Sequence, residues 1–354
     1  MKDAAIENRE VTWDVLDAPV HGTITAPTDG DAHPAVVFVA GSGPTDRDWC
    51  SPLLLGTNGS GKLLAEELAR RGFLTLRYDK LASGPHVREN LPKFAGKVSM
   101  ESHMAELAGA VQAVVAEERF DGRGLYALTN SEGAIHAVNY QLQARSDRFK
   151  GLVLTGAPGR AIGDVSRGQI YAQARTLPNA EALMGHYDEA IADFVAGRPM
   201  VVDPSLPEAM TPFFRALENP INLPFSRELW KYSLPEYIIG VHEPALILIG
   251  KKDIQIDWKI DGAALERAAD KSVTSFAYPD NANHVLKHED LSLEQLTAEY
   301  VSLHYNADEV KLDEEAVNTI FDWLGRRSVE ASTSPIKAGI SASYPTREVP
   351  KPHP

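Results

Sequence analysis

Apolar positions along the chain fall into two kinds of pattern, short unbroken runs and longer stretches at helical spacing. Ala35–Ala40, Phe73–Tyr78, Leu125–Leu128, Leu152–Thr155, Ala245–Gly250 and Val273–Tyr278 are strand-length runs without alternation. Such runs predict strands buried on both faces, as in a parallel sheet. Between them, Leu63, Leu64, Leu68 and Ala69 predict a helix from Ser60 to Gly72, with Ser60 as its cap. Met104, Leu107, Ala108, Val111 and Val114 predict another over Ser99–Glu118, and Val317, Ile320, Phe321 and Leu324 a third over Glu314–Leu324. Two alternating stretches at the start, Glu10–Leu16 and His21–Ala26, predict a hairpin turning around Ala18-Pro19. Strand and helix in alternation mean an α/β architecture, a doubly wound and mostly parallel sheet.

The alternation breaks once. Residues 160–242 are helical where regular, rich in proline and without buried-strand runs, which predicts a helical cap inserted into a catalytic domain formed by 1–159 and 243–326. Residues 327–354 have few large apolar side chains, and an extended or mobile tail is expected. The tail is either free or strapped over its own surface or that of a second subunit, as in a homodimer.

Composition narrows the function. Among 354 residues, 35 are Lys or Arg and 49 are Asp or Glu, a net charge of −14 that disfavours nucleic acid and anionic membrane as partners. A single cysteine, Cys50, rules out an intrachain disulfide. The polar first residues lack a signal-peptide core, so a cytoplasmic protein is expected.

Four places carry candidate chemistry. Ser131 lies in Leu128-Thr-Asn-Ser-Glu-Gly133, between a strand and a helix. A sharp turn there would lift the hydroxyl above the sheet edge, and it needs small neighbours two residues either side. Gly133 fits and Thr129 departs; the same residues also fit a plain helix N-cap. Asp253 and His284 each follow a late strand, which places them at its carboxyl edge. The order serine, acid, histidine predicts a nucleophile, a supporting acid and a general base. The glycine-rich loop Gly41-Ser-Gly43 follows an early strand, and the backbone N–H groups of Ser42 and Glu132 are the expected oxyanion donors. Gly56–Lys62 matches phosphate-loop spacing, but Leu63 stands where a metal-binding hydroxyl belongs, so a structural loop is expected. His103, His136, His186, His242 and His304 show no metal-ligand spacing and read as structural or surface residues.

The run Gly41-Ser-Gly-Pro-Thr-Asp-Arg-Asp48, with Leu76-Arg-Tyr-Asp-Lys80, Ser131-Glu-Gly133, Gly250-x-x-Asp253-x-Gln255 and Asn283-His284, resembles α/β-hydrolase serine esterases related to prolyl-oligopeptidase-like and dienelactone-type hydrolases. The resemblance covers residues 10–326. It implies hydrolysis of a carboxylic ester without metal or organic cofactor, and the aromatic content of the cap (Tyr171, Phe194, Phe213, Phe214, Trp230, Tyr232, Tyr237) favours a small-molecule ester or lactone of moderate apolar size. The same triad would also serve thioester, amide or C–C bond cleavage, or acyl transfer, and a non-catalytic binding protein could retain the fold. The chain departs from the family at Thr129, at Leu81-Ala-Ser-Gly-Pro85 and in its tail.

Overall fold

In the computed structural model, which describes residues 5–333 except 176 and 178, the leading hairpin pairs β1 (Ile6–Val15) with β2 (Ala18–Pro27). Its turn is Leu16-Asp17, at φ 53° and 61°, rather than Ala18-Pro19. A two-residue hairpin turn needs left-handed residues, which proline cannot supply, and Ala18 and Pro19 are already paired with Val15 and Asp14. The remaining strands are β3 (His33–Val39), β4 (Leu74–Tyr78), β5 (Phe120–Asn130), β6 (Gly151–Thr155), β7 (Ala245–Leu248) and β8 (Thr274–Ala277). The sheet order is β1-β2-β4-β3-β5-β6-β7-β8, parallel from β4 to β8 and antiparallel at β1 and β2. Winding reverses at β3, which lies between β4 and β5, so the loops after β3 and β5 open onto the switch point where such sheets hold their sites.

Helices cover both faces: α1 (Ser60–Arg70), α2 (Val87–Phe94), α3 (Met100–Val115), α4 (Gly133–Gln143), then α5 (Ile162–Ala174), α6 (Ala180–Val195), α7 (Thr211–Leu217), α8 (Phe225–Trp230) and α9 (Leu234–Ile238) between β6 and β7, and finally α10 (Ile260–Ala268), α11 (Ala298–His304) and α12 (Glu314–Thr333). Strand β3 shows why its sequence lacks alternation. Val37 and Val39 pack with Leu107, Val111, Ile135 and Val138, while Val36 and Phe38 pack with Leu64, Leu68, Ile320 and Leu324 on the other face.

Local signals succeed and fail for identifiable reasons. Ser99 caps α3 in a reciprocal box with Ser102. Ser60 does not cap α1; it is the first helical residue, and its buried hydroxyl donates to the Val285 carbonyl instead. Helix α2 went unpredicted because Pro92 lies inside it. Helix α12 continues to Thr333, so residues 327–333 are helix rather than tail, and the predicted tail from 334 onward lies outside the described residues. Within 160–242, α6 and α7 build a small core of their own around Leu183, Tyr187 and Phe214. By contrast Phe225, Leu229, Tyr232, Leu234 and Ile238 join the main core.

The phosphate-loop match is explained by packing. A Cβ on Gly56 or Gly59 would lie 2.0 Å from the carbonyl oxygen of Asn306 or Asp48, and the Asn58 amide donates to the Ala307 and Val310 carbonyls at 2.9 and 2.8 Å. Among the described residues no helix is long and apolar enough to cross a membrane.

Candidate active site

Strand β5 ends at Asn130 and α4 starts at Gly133, so the chain turns from strand to helix in two residues. Ser131 takes up the turn with φ 53°, a left-handed conformation that costs a non-glycine residue on the order of 1–3 kcal/mol. Its N–H donates to the Thr155 carbonyl at 2.8 Å, which pins the strained residue to the neighbouring strand β6. Helix α4 has no side-chain cap, so the cap reading of Ser131 falls. Gly133 has no alternative: a Cβ there would lie 2.3 Å from the Val39 carbonyl oxygen, a backbone atom of the central strand. Thr129, where a glycine was expected, lies fully buried in β5 and donates its hydroxyl to the Val153 carbonyl at 3.2 Å. Its polar atom is satisfied and its bulk is in the sheet, so the turn does not need glycine at that position.

The loops after β7 and β8 meet each other. Lys251 and Lys252 N–H donate to the Pro279 and Ala282 carbonyls at 2.9 and 3.1 Å, and a Cβ on Gly250 would strike the Ala282 carbonyl. This contact brings His284 Nδ1 within 2.7 Å of Asp253 Oδ2. The Asp253 side chain is wholly buried, and its other oxygen accepts the Gln255 and Ile256 N–H groups at 2.8 and 2.9 Å. A carboxylate oxygen accepts, so Nδ1 is the ring nitrogen that donates to Asp253. Asp257 instead accepts the Lys259 and Ile260 N–H groups at the start of α10, and Asp280 pairs with Lys251 at the surface.

Two contacts join this pair to the serine turn. The Asn130 amide donates to the His284 carbonyl at 2.8 Å. Gly156, just past β6, presses on the imidazole, where a Cβ would lie 3.1 Å from Cε1 and Nδ1. The loop after β3 closes on the turn as well, since a Cβ on Gly41 would be 3.3 Å from Ser131 Cβ. That loop is anchored by Arg47, which grips Asp79 through Nη2 at 2.7 Å and Nε at 3.0 Å and reaches Glu10 and Thr23. The motif residues Arg47 and Asp79 are therefore scaffold, and Ser42 is left exposed on the loop.

Under the serine turn lies a buried ionic group. Lys80 Nζ donates to the Gly41 carbonyl and stands 3.4 Å from Glu132 Oε1, to which His136 Nε2 donates at 3.1 Å. Burial alone would raise the Glu132 pKa, but the Lys80 charge and the His136 hydrogen bond hold it well below the usual carboxylate range. Burial pushes the His136 imidazole down, against the pull of Glu132, and its Nδ1 has no partner. His103 lies against it, with ring centroids 4.8 Å apart and the planes tilted by 40°, and pairs with Glu106 at 2.7 Å. The sequence pattern gives these two histidines no metal-ligand spacing, and it assigns no role to Lys80, Asn130 or Gly156, although Lys80 and Asn130 lie within the quoted motifs. The available signal was positional: each of the three lies at or just past the carboxyl end of a strand.

No family model matches the chain. Over 170 residues it is 29% identical to Esterase EstD of Thermotoga maritima, a stretch that covers 47% of this chain and 36% of that protein. The match thus spans about a third of the length of that curated relative. Among solved structures, VinJ superposes with a TM-score of 0.55 at 16% identity, covering 90% of this chain and 98% of that one. Est1E from Butyrivibrio proteoclasticus superposes with a TM-score of 0.52 at 11% identity, covering 90% and 99%. At these identities the likeness to the two structures is one of fold. With its mostly parallel sheet, its winding reversed at β3 and its serine on a strained turn after β5, the chain has the α/β-hydrolase fold.

Proposed function

We propose that the chain is a serine hydrolase that cleaves a carboxylic ester or lactone through an acyl-enzyme. The observation that carries this reading is the left-handed Ser131 at the β5–α4 turn, tied by Asn130 to the loop of a His284–Asp253 pair 2.7 Å apart. In this reading His284 Nε2 takes the Ser131 proton as Oγ attacks the carbonyl carbon, while Asp253 keeps the other ring nitrogen protonated. The N–H groups of Ser42 and Glu132 receive the oxyanion. Collapse expels the alkoxide, which takes the proton from His284, and water then repeats the sequence on the acyl-enzyme.

Residues 160–242 act as a cap that selects the substrate. Two observations support this: α5 reaches the acid loop through Gln169, whose amide donates to the Gln255 carbonyl at 3.0 Å, and Tyr171 on the same helix is exposed. Several other aromatics, such as Phe213, Phe214 and Trp230, pack on one another. The partial likeness to an esterase favours an ester among the reactions that this machinery could run.

The test is Ser131→Ala. It is expected to abolish labelling by a fluorophosphonate probe and lower kcat by about 10³-fold or more on the best substrate from a panel of esters and lactones. Melting temperature should be unchanged. Turnover by the variant at the wild-type rate would refute the assignment.

A further inference from the structure

Beneath the serine turn, Lys80 holds a cation in an almost closed interior, with its side chain only 6% exposed. Lysine normally keeps its ammonium in water, so such burial calls for partners that matter. Its two partners sit on the two segments that flank the nucleophile. One is the Gly41 carbonyl, in the loop after β3; the other is the Glu132 carboxylate, on the residue after Ser131.

The first partner is the more telling. The Gly41 carbonyl and the Ser42 N–H belong to one planar trans peptide unit, so they point in opposite directions. A hydrogen bond that draws the carbonyl toward Lys80 turns the N–H away from it, toward the open side of the loop where Ser42 is exposed. A cationic donor on the carbonyl also polarises the unit and strengthens its N–H as a donor. Glu132 supplies the counter-charge and is itself braced by His136 at 3.1 Å, so one ammonium fixes the separation of the 41–42 peptide and the 131–132 turn.

We propose that Lys80 is a positioning residue that sets the geometry of the oxyanion pocket by holding the Gly41–Ser42 peptide plane against the serine turn. The proposal rests on the reading of Ser131 as nucleophile and of Ser42 and Glu132 as oxyanion donors. Lys80 touches no reacting atom; it acts through the peptide it orients.

The experiment compares Lys80→Met, Lys80→Arg and the double variant Lys80→Met/Glu132→Gln with wild type. Each is assayed for kcat, KM and the inhibition constant of an alkyl boronic acid, which mimics the tetrahedral state. Loss of one oxyanion donor outright costs about 10²–10³-fold, and misplacing one should cost less, about 10–10²-fold. Lys80→Met is expected to lose that factor in kcat and in boronate affinity alike, with KM within about twofold, and Lys80→Arg to recover part of it. The double variant removes both buried charges together, so it leaves no unpaired carboxylate to unfold the protein. It should show the same loss, because the bond to Gly41 is still missing. Wild-type kcat and boronate affinity in a folded Lys80→Met, or their return in the double variant, would overturn the proposal, the second by reducing Lys80 to a counter-ion for Glu132. Failure of the underlying reading looks different: Ser131→Ala would then keep turnover and boronate binding.

Discussion

Replacing Asp253 with asparagine tests which carboxylate serves His284 without disturbing the fold. The amide is isosteric, and its oxygen can keep the bonds from the Gln255 and Ile256 N–H groups at 2.8 and 2.9 Å. What changes is the group that faces His284 Nδ1 across 2.7 Å, where an acceptor becomes an NH₂ donor. The imidazole must then place its proton on Nε2, where it blocks removal of the serine proton. The expected fall in kcat is up to about 10⁴-fold, equivalent to about 5.5 kcal/mol at about 1.36 kcal/mol per decade. Stability should change by about 1 kcal/mol or less, because no buried N–H is orphaned. Asp253→Ala would orphan two, at about 1–3 kcal/mol each. Steady-state kinetics on the best ester, read with urea denaturation of each variant, separates the two effects. As controls, Asp257→Asn touches the start of α10 and Asp280→Asn a surface pair, so neither should lower kcat more than severalfold. A kcat within tenfold of wild type for Asp253→Asn, or a crippling Asp257→Asn, would refute the reasoning.

Gly133→Ala places a Cβ 2.3 Å from the Val39 carbonyl oxygen, and since neither backbone can yield cheaply, a loss of about 1–3 kcal/mol or more in unfolding free energy is expected, read as a lower denaturation midpoint; an unchanged midpoint would contradict the packing argument. Asp46 is pushed up from 3.8 to about 6, by burial first and then by Asp48 and Asp79, against the two backbone N–H groups it accepts. Its folded value exceeds its unfolded one, so its protonated form stabilises the fold fully below about pH 4, and that contribution is lost as pH rises through about 6. Asp46→Asn, which keeps the acceptor for the Asp48 and Cys50 N–H groups, should therefore gain about 1–2 kcal/mol at pH 8, after allowance for solvent screening, and nothing at pH 4. An equal gain at both pH values would show that the carboxyl is not the source.

Sequence by itself determined the architecture and the neighbourhood of the site. Runs such as Val36–Val39 and Leu246–Leu248 are apolar on every residue because both faces of their strands are covered, and that is a local property of composition. Gly133 was legible for a similar reason, since the demand for a small residue comes from a turn two residues long. Tertiary structure decided everything that depends on partners far along the chain. Ser60 has the residue type of a cap, yet its hydroxyl goes to Val285, 225 positions away. Thr129 looked misplaced until Val153 of the neighbouring strand accepted its hydroxyl. The choice of Asp253 over Asp257 and Asp280 rests on contact between the loops after β7 and β8, and Lys80 is significant only because Gly41 and Glu132 converge on it. Side-chain periodicity reports which face of an element is dry. It carries no information about which distant donor or acceptor will meet a given polar atom, because only the packing of the whole sheet sets those distances.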